Sequence, residues 1–291
     1  MEKTEAQVSE IHHEHSSAMT SFLNSVYIAA TTYVTSMIAY PLDTITTIIK
    51  SNATTLSSKE VIRLTYKNNG IHSFFNGIDI LPAESIPPVI TYYFAYDFLF
   101  QRLKNRFEMG WLAGGVSAIV AEVFSLVVQL PPDIVRIRMQ AGRHSDKSWW
   151  QIVKDIYRNE GILRFYSVGS LYIAISFIYT VSMFTIYEGV RDYFDVKNFS
   201  LYPSLLGSVL ATFGAVALTN PLDNIFIPYQ LTDFSVSKNE SMYSLFKEYV
   251  YRHGYAGLTK GFKVRFLTHF LHVVFMLPMY DFLRSEGFEG H

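Results

Sequence analysis

One short phrase occurs three times at intervals of 90 residues: Pro41-Leu42-Asp43, Pro131-Pro132-Asp133 and Pro221-Leu222-Asp223. Each copy closes a long apolar stretch. A glycine follows each one, at Gly70, Gly161 and Gly254, and then a tyrosine-acid pair, at Tyr96-Asp97, Tyr187-Glu188 and Tyr280-Asp281. Three landmarks recurring in one order mean a triplicated unit, and a repeat of this kind buries its faces against its copies rather than alone. The chain therefore folds as one assembly of three equivalent parts: a polar tail over 1–20, then repeats over 21–106, 107–197 and 198–291.

The apolar stretches say where that assembly sits. Residues 16–42, 165–187 and 199–222 contain no Asp, Glu, Lys or Arg. Each is longer than the roughly 20 residues with which a helix crosses a bilayer. The stretches ending near Arg102, Asp133 and Arg284 are similar but carry a few ionisable residues. Overall charge is 17%, against about 25% in soluble domains. Small residues recur at helical spacing, as Gly114, Gly115 and Ala118 and again as Gly207, Ala211 and Gly214, which lets helix backbones approach closely in lipid.

Each unit reads as a long helix, a loop, a short amphipathic helix and a second long helix. The spacing predicts helices over 21–49, 57–68 and 78–104, then 109–140, 147–159 and 168–194, then 200–230, 241–252 and 262–285. Pro41, Pro131 and Pro221 are expected to kink the first helix of each unit, because proline removes a donor and crowds the preceding turn. The short helices suit a membrane surface, and Trp149-Trp150 suit its interface. The expected fold is an all-α membrane protein, a pseudo-threefold bundle of six transmembrane helices with three short surface helices and both termini on one side.

Several functions are disfavoured. The chain has no cysteine, so neither disulfides nor thiolate metal sites can form. A net charge of −1 argues against nucleic-acid binding. There is no Gly-Lys-Ser phosphate loop, and His269, His272 and Asp281 lack the nucleophile and oxyanion donors of a hydrolase. His12-His13-x-His15 reads as part of a polar tail rather than a metal site. No enzyme, metal or cofactor is expected. The acid-rich N-terminus does not resemble a transit peptide.

These landmarks resemble the mitochondrial carrier family from about residue 20 to 285. The second repeat carries the motif Pro-x-Asp/Glu-x-x-Lys/Arg-x-Lys/Arg in full, as Pro131, Asp133, Arg136 and Arg138, followed by Glu160-Gly161. The resemblance implies the six-helix carrier fold in the mitochondrial inner membrane, with both termini toward the intermembrane space. It also implies alternating access between two ion-pair gates. At the matrix gate the acids are Asp43, Asp133 and Asp223, but only Arg136 remains of three bases, with Thr46 and Phe226 in the other places. Family pairing joins Asp43 to Arg136, sets Asp133 against Phe226 unless Arg138 or water satisfies it, and sets Asp223 against Thr46. Gln140 and Gln230 match the glutamine braces, and Lys50 replaces the third. At the cytosolic gate the acids are Asp97, Glu188 and Asp281. The bases are Arg191 and Arg284, and Phe100 fills the third place. The aromatic-basic-Gly signature has become Phe75-Asn76-Gly77, Tyr166-Ser167-Val168 and Thr259-Lys260-Gly261.

By the same resemblance, solute would meet Glu84-Ser85, Ile175-Ser176 and Thr268-His269, with His272 one turn on. None is Arg or Lys. Glu84 with His269 could bind a cation, an ammonium group or a proton, or the two could simply pair with each other. Pro82, Pro87 and Pro88 crowd the same segment. Cardiolipin or another phospholipid is implied near Gly70, Gly161 and Gly254.

Two functions follow. The losses at both gates and in the signature favour a carrier-fold protein that no longer cycles and serves as a structural subunit of a larger inner-membrane assembly, with lipids and other subunits as partners. The alternative is an active carrier of a small cationic, zwitterionic or proton-coupled metabolite.

Overall fold

The computed structural model describes the backbone of residues 2–51, 57–104, 110–142, 147–194, 201–232 and 242–285. Side chains of 2–21, 24, 110–112, 201, 242 and 275–285 lie outside the description. The described residues form nine α-helices: α1 Glu2–Ser51, α2 Ser58–Asn69, α3 Leu81–Leu103, α4 Gly110–Gln140, α5 Trp149–Asn159, α6 Gly169–Tyr193, α7 Leu201–Leu231, α8 Met242–Gly257 and α9 Phe262–Ser285. Short 3₁₀ turns over Ile71–Phe75, Ile78–Ile80 and Ile162–Tyr166 link surface helices to long ones.

Every predicted helix is present, with one correction at the start. The polar tail over 1–20 is the first part of α1, which runs back to Glu2. Residues 2–20 contain neither Gly nor Pro, and nothing in their composition stops the helix. The tail histidines His12, His13 and His15 are among the side chains outside the description.

The six long helices close into a ring in chain order, with α9 returning to pack on α1. Contact between α4 and α6 is the thinnest in the ring. Among the described residues three spans meet the demands of length and apolarity by themselves: Ala113–Gln140, Ile162–Tyr193 and Tyr202–Leu231. The charge-free part of α1 is diluted by residues such as Ser25, Thr31, Thr32, Thr35 and Ser36. Several of these turn their hydroxyls back onto their own helix, as Thr32 does to the Ile28 carbonyl at 2.8 Å.

The triplication reaches down to single backbone angles. Gly70, Gly161 and Gly254 have φ of 71°, 83° and 66° with ψ of −173°, 170° and 176°. That corner of conformational space belongs almost solely to glycine. In the signature loops Gly77 and Gly261 are also left-handed, at φ 83° and 74°. The second repeat has Val168 in that place, and its backbone has moved to φ −101°.

Pro41, Pro131 and Pro221 each lie inside a continuous helix. A proline leaves the carbonyl four residues earlier without its helical donor. For Pro131 that carbonyl is Val127, and the hydroxyl of Tyr166 donates to it at 3.3 Å. The small-residue face of α7 meets α6. A methyl group added at Gly207 would stand 2.9 Å from Cδ2 of the fully buried Tyr187. The surface helices are pinned by caps and apolar anchors. Ser57 and Glu60 form a reciprocal capping box at α2, and Ile152 and Ile156 of α5 are buried.

Candidate functional site: a gated central cavity

At the end where the three Pro-x-Asp motifs converge, the ring is closed by charge. Arg136 of α4 donates to Asp43 of α1. Its Nη2 donates to Asp133 at 2.7 Å, and its Nε lies 2.7 Å from an Oε of Glu84 on α3. The Nε–H is not aimed at that oxygen, so Glu84 is held by charge rather than by an aligned hydrogen bond. Gln140 braces the group: its Nε2 donates to Asp43 at 3.1 Å, and its Oε1 accepts from Arg136 at 3.1 Å and from Thr47 at 2.8 Å.

The other two acids are also satisfied, by partners other than those the family pairing named. Asp223 binds Nζ of Lys50 at 3.2 Å and Nη2 of Arg265 at 2.7 Å. Lys50 lies one turn past Thr46 on the same helix, in the brace position, so the missing base has been relocated rather than lost. Asp133 takes Arg136 on one oxygen and Nε2 of Gln230 at 3.1 Å on the other. It does not depend on Phe226, which joins a buried apolar cluster with Leu130, Ile137, Ile175 and Tyr229. Arg138 does not reach Asp133 either. It forms a two-pronged pair with Glu160 at 2.5 and 2.9 Å.

Behind the gate, Arg164 is fully buried. It pairs with Glu160 at 3.1 Å and donates to the carbonyls of Gln230 and Thr232 at 2.6 and 2.7 Å. It thus caps the C-terminal end of α7, whose last carbonyls have no helical donor. The sequence hides it, because the base of the aromatic-basic-Gly signature is expected three residues later, at Ser167.

Above the gate lies a central cavity with two adjoining lobes of about 440 and 370 Å³. Glu84, Ser85 and His272 line the first lobe. Ile175, Ser176, Thr268 and His269 line the second. All seven solute-facing residues therefore reach one space. The direct Glu84–His269 pair does not form: Glu84 sits against Arg136, and His269 Nε2 accepts from Nε of Arg265 at 3.3 Å. Two acidic or basic groups here escaped the sequence reading. Glu122 of α4 lines both lobes, and Arg265 of α9 lines the second.

The opposite end differs. Asp281 and Arg284 lie outside the described side chains. Among the described residues no ion pair joins Asp97 to Arg191. At the Pro-x-Asp end, charge closes one mouth of the cavity. The unanswered acids of this gate were one of the grounds for a non-cycling protein, and Lys50, Arg265 and Gln230 answer them.

The chain matches the model of the mitochondrial carrier protein family three times, over residues 17–107, 106–198 and 197–288. It is similar to a mitoferrin of Dictyostelium discoideum, 25% identical over 269 residues that cover 84% of this chain and 87% of the relative. It is similar to the mitochondrial RNA-splicing protein MRS3 of Saccharomyces cerevisiae, 24% identical with 80% and 78% covered. It is also similar to a mitochondrial glutathione transporter of Danio rerio, 23% identical with 73% and 64% covered. With the family model matched across three tandem repeats that build one six-helix gated ring, the chain belongs to the mitochondrial carrier family, the multi-pass carriers of the mitochondrial inner membrane.

Proposed function

We propose that this protein is an active carrier that moves a small cationic or zwitterionic solute, with or without a coupled proton, by alternating access. Both termini face the intermembrane space in this reading. The observation that carries it is the charge of the cavity. The basic residues lining it, Arg136 and Arg265, are already bound to carboxylates. Among the described lining residues an anionic solute would find no unpaired Lys or Arg, whereas a cation finds a wall rich in carboxylates, with Glu84 in the same lobe as the imidazole of His272. Charged groups at such depth are costly and are kept where they carry solutes or ions.

The kinship with mitoferrins and with other carriers supports transport over a purely structural role. Cardiolipin or another phospholipid at the turns of Gly70, Gly161 and Gly254 stays part of the proposal. The test is uptake by the full-length protein in liposomes, across a panel of divalent metal ions, ammonium-bearing solutes and organic anions. Cations or zwitterions should be taken up, and Glu84→Gln should reduce that uptake at least about tenfold. A preference for anions, or full uptake by Glu84→Gln, would refute the assignment.

A further inference from the structure

We infer that Glu122 is the specificity-determining residue of the cavity, the carboxylate that a solute cation engages on its way to Glu84. The inference rests on the reading of the protein as a cation carrier.

Five carboxylates, Asp43, Glu84, Glu122, Asp133 and Asp223, border the cavity. Against them stand three cations, Arg136, Arg265 and Lys50, each bound to one or more of the other four. Glu122 is left over. Among the described residues no hydrogen bond or ion pair reaches it, although it lies mid-helix in an apolar span and is partly buried. A carboxylate in such a place needs a partner. Among the described residues lining the cavity no Lys or Arg is left unbound for it, and the one imidazole of its lobe outside the ion pairs is that of His272, so a cation from outside the protein is the partner that fits.

The repeat makes the point a second way. Ninety residues before and after Glu122 stand Thr32 and Thr212. Both donate their hydroxyls to the carbonyl four residues back, at 2.8 Å to Ile28 and 2.7 Å to Ser208. An ionised carboxylate has no proton with which to do this. The position is self-satisfied in two repeats and unsatisfied in the third, so the acid serves neither the helix nor the threefold packing.

Its placement fits a route inward. Glu122, Gln129, Asp133 and Arg136 fall at i, i+7, i+11 and i+14, along one face of α4. At 1.5 Å per residue Glu122 lies roughly 21 Å along the helix from Arg136, away from the closed gate. Gln129 between them has its amide occupied by the Tyr172 hydroxyl at 2.8 Å. A cation moving toward the gate therefore meets Glu122 before Glu84.

The experiment compares wild type with Glu122→Gln in liposomes, using Mn²⁺ and ornithine as probes and measuring KM and kcat for each at several pH values. KM for the cation taken up should rise about tenfold in Glu122→Gln while kcat stays within about twofold. In a Glu122→Thr background, Thr32→Glu moves the carboxylate to the equivalent place on α1 and should recover part of the lost affinity. Unchanged KM, or a loss of pH dependence with KM intact, would overturn the inference; the latter would make Glu122 a proton carrier only. If Glu122→Gln does not fold, as judged by thermal unfolding in detergent, Glu122→Thr takes its place, and failure of both would make the residue structural and end the proposal. Absence of cation uptake by the wild type would instead defeat the carrier reading on which this one rests.

Discussion

Replacing Asp223 and replacing Lys50 break the same ion pair but leave different debris. Asp223 is shared by two cations, Lys50 at 3.2 Å and Arg265 at 2.7 Å, and all three side chains are largely buried. At an effective dielectric of about 20 the two attractions are about 5 and 6 kcal/mol before desolvation is subtracted. Asp223→Asn strands both cations, and breaking a buried pair from the side that leaves charge unanswered costs about 3–5 kcal/mol. Lys50→Gln leaves Asp223 with Arg265, so only one charge-assisted bond is lost, about 1–3 kcal/mol. The double variant should then cost less than the sum of the singles by about 1–3 kcal/mol. Equilibrium unfolding in mixed detergent micelles over the four proteins measures this. Effects that add to within about 0.5 kcal/mol, or Lys50→Gln as harmful as Asp223→Asn, would show that Lys50 is not the relocated gate base.

Two further predictions concern the scaffold. Gly207→Ala places a methyl group 2.9 Å from the ring of Tyr187, which is fully buried and cannot swing aside; the overpacking should destabilise the protein by about 1–3 kcal/mol in the same unfolding assay. Tyr166→Phe removes the hydroxyl that serves the carbonyl of Val127 opposite Pro131 and should cost about 1 kcal/mol, whereas Phe75, the matching aromatic of the first repeat, has no hydroxyl to lose.

The period of 90 made the fold legible. It set the long helices, the surface helices and the glycines whose backbone angles only glycine holds, because each signal was seen three times. It even located the exception, since Val168 stands where a left-handed glycine should and the backbone there is no longer left-handed. The gate was harder to read. Pairing by equivalent position left Asp223 facing Thr46, yet a long lysine chain one turn further along α1 reaches the same carboxylate. Side-chain reach across a helix interface is not written in register. Arg164 was missed because its partners are backbone carbonyls some 65 to 68 residues away, which leave no mark on sequence. Glu122 is hard to read for the opposite reason: the register that singles it out is plain, but one acid within a mostly apolar helix gives no signal by itself.

The three seams between repeats are built of different materials. Repeat one is tied to repeat two by Asp43–Arg136 and to repeat three by Lys50–Asp223, contacts made of charge. Repeats two and three share no ion pair among the described residues at the closed end. They are joined by the hydrogen bond that the Gln230 amide donates to Asp133, by the apolar cluster around Phe226 and by Arg164 locked onto the end of α7. Neutralising the charges at the closed end would therefore loosen both seams of repeat one and leave the seam between repeats two and three held.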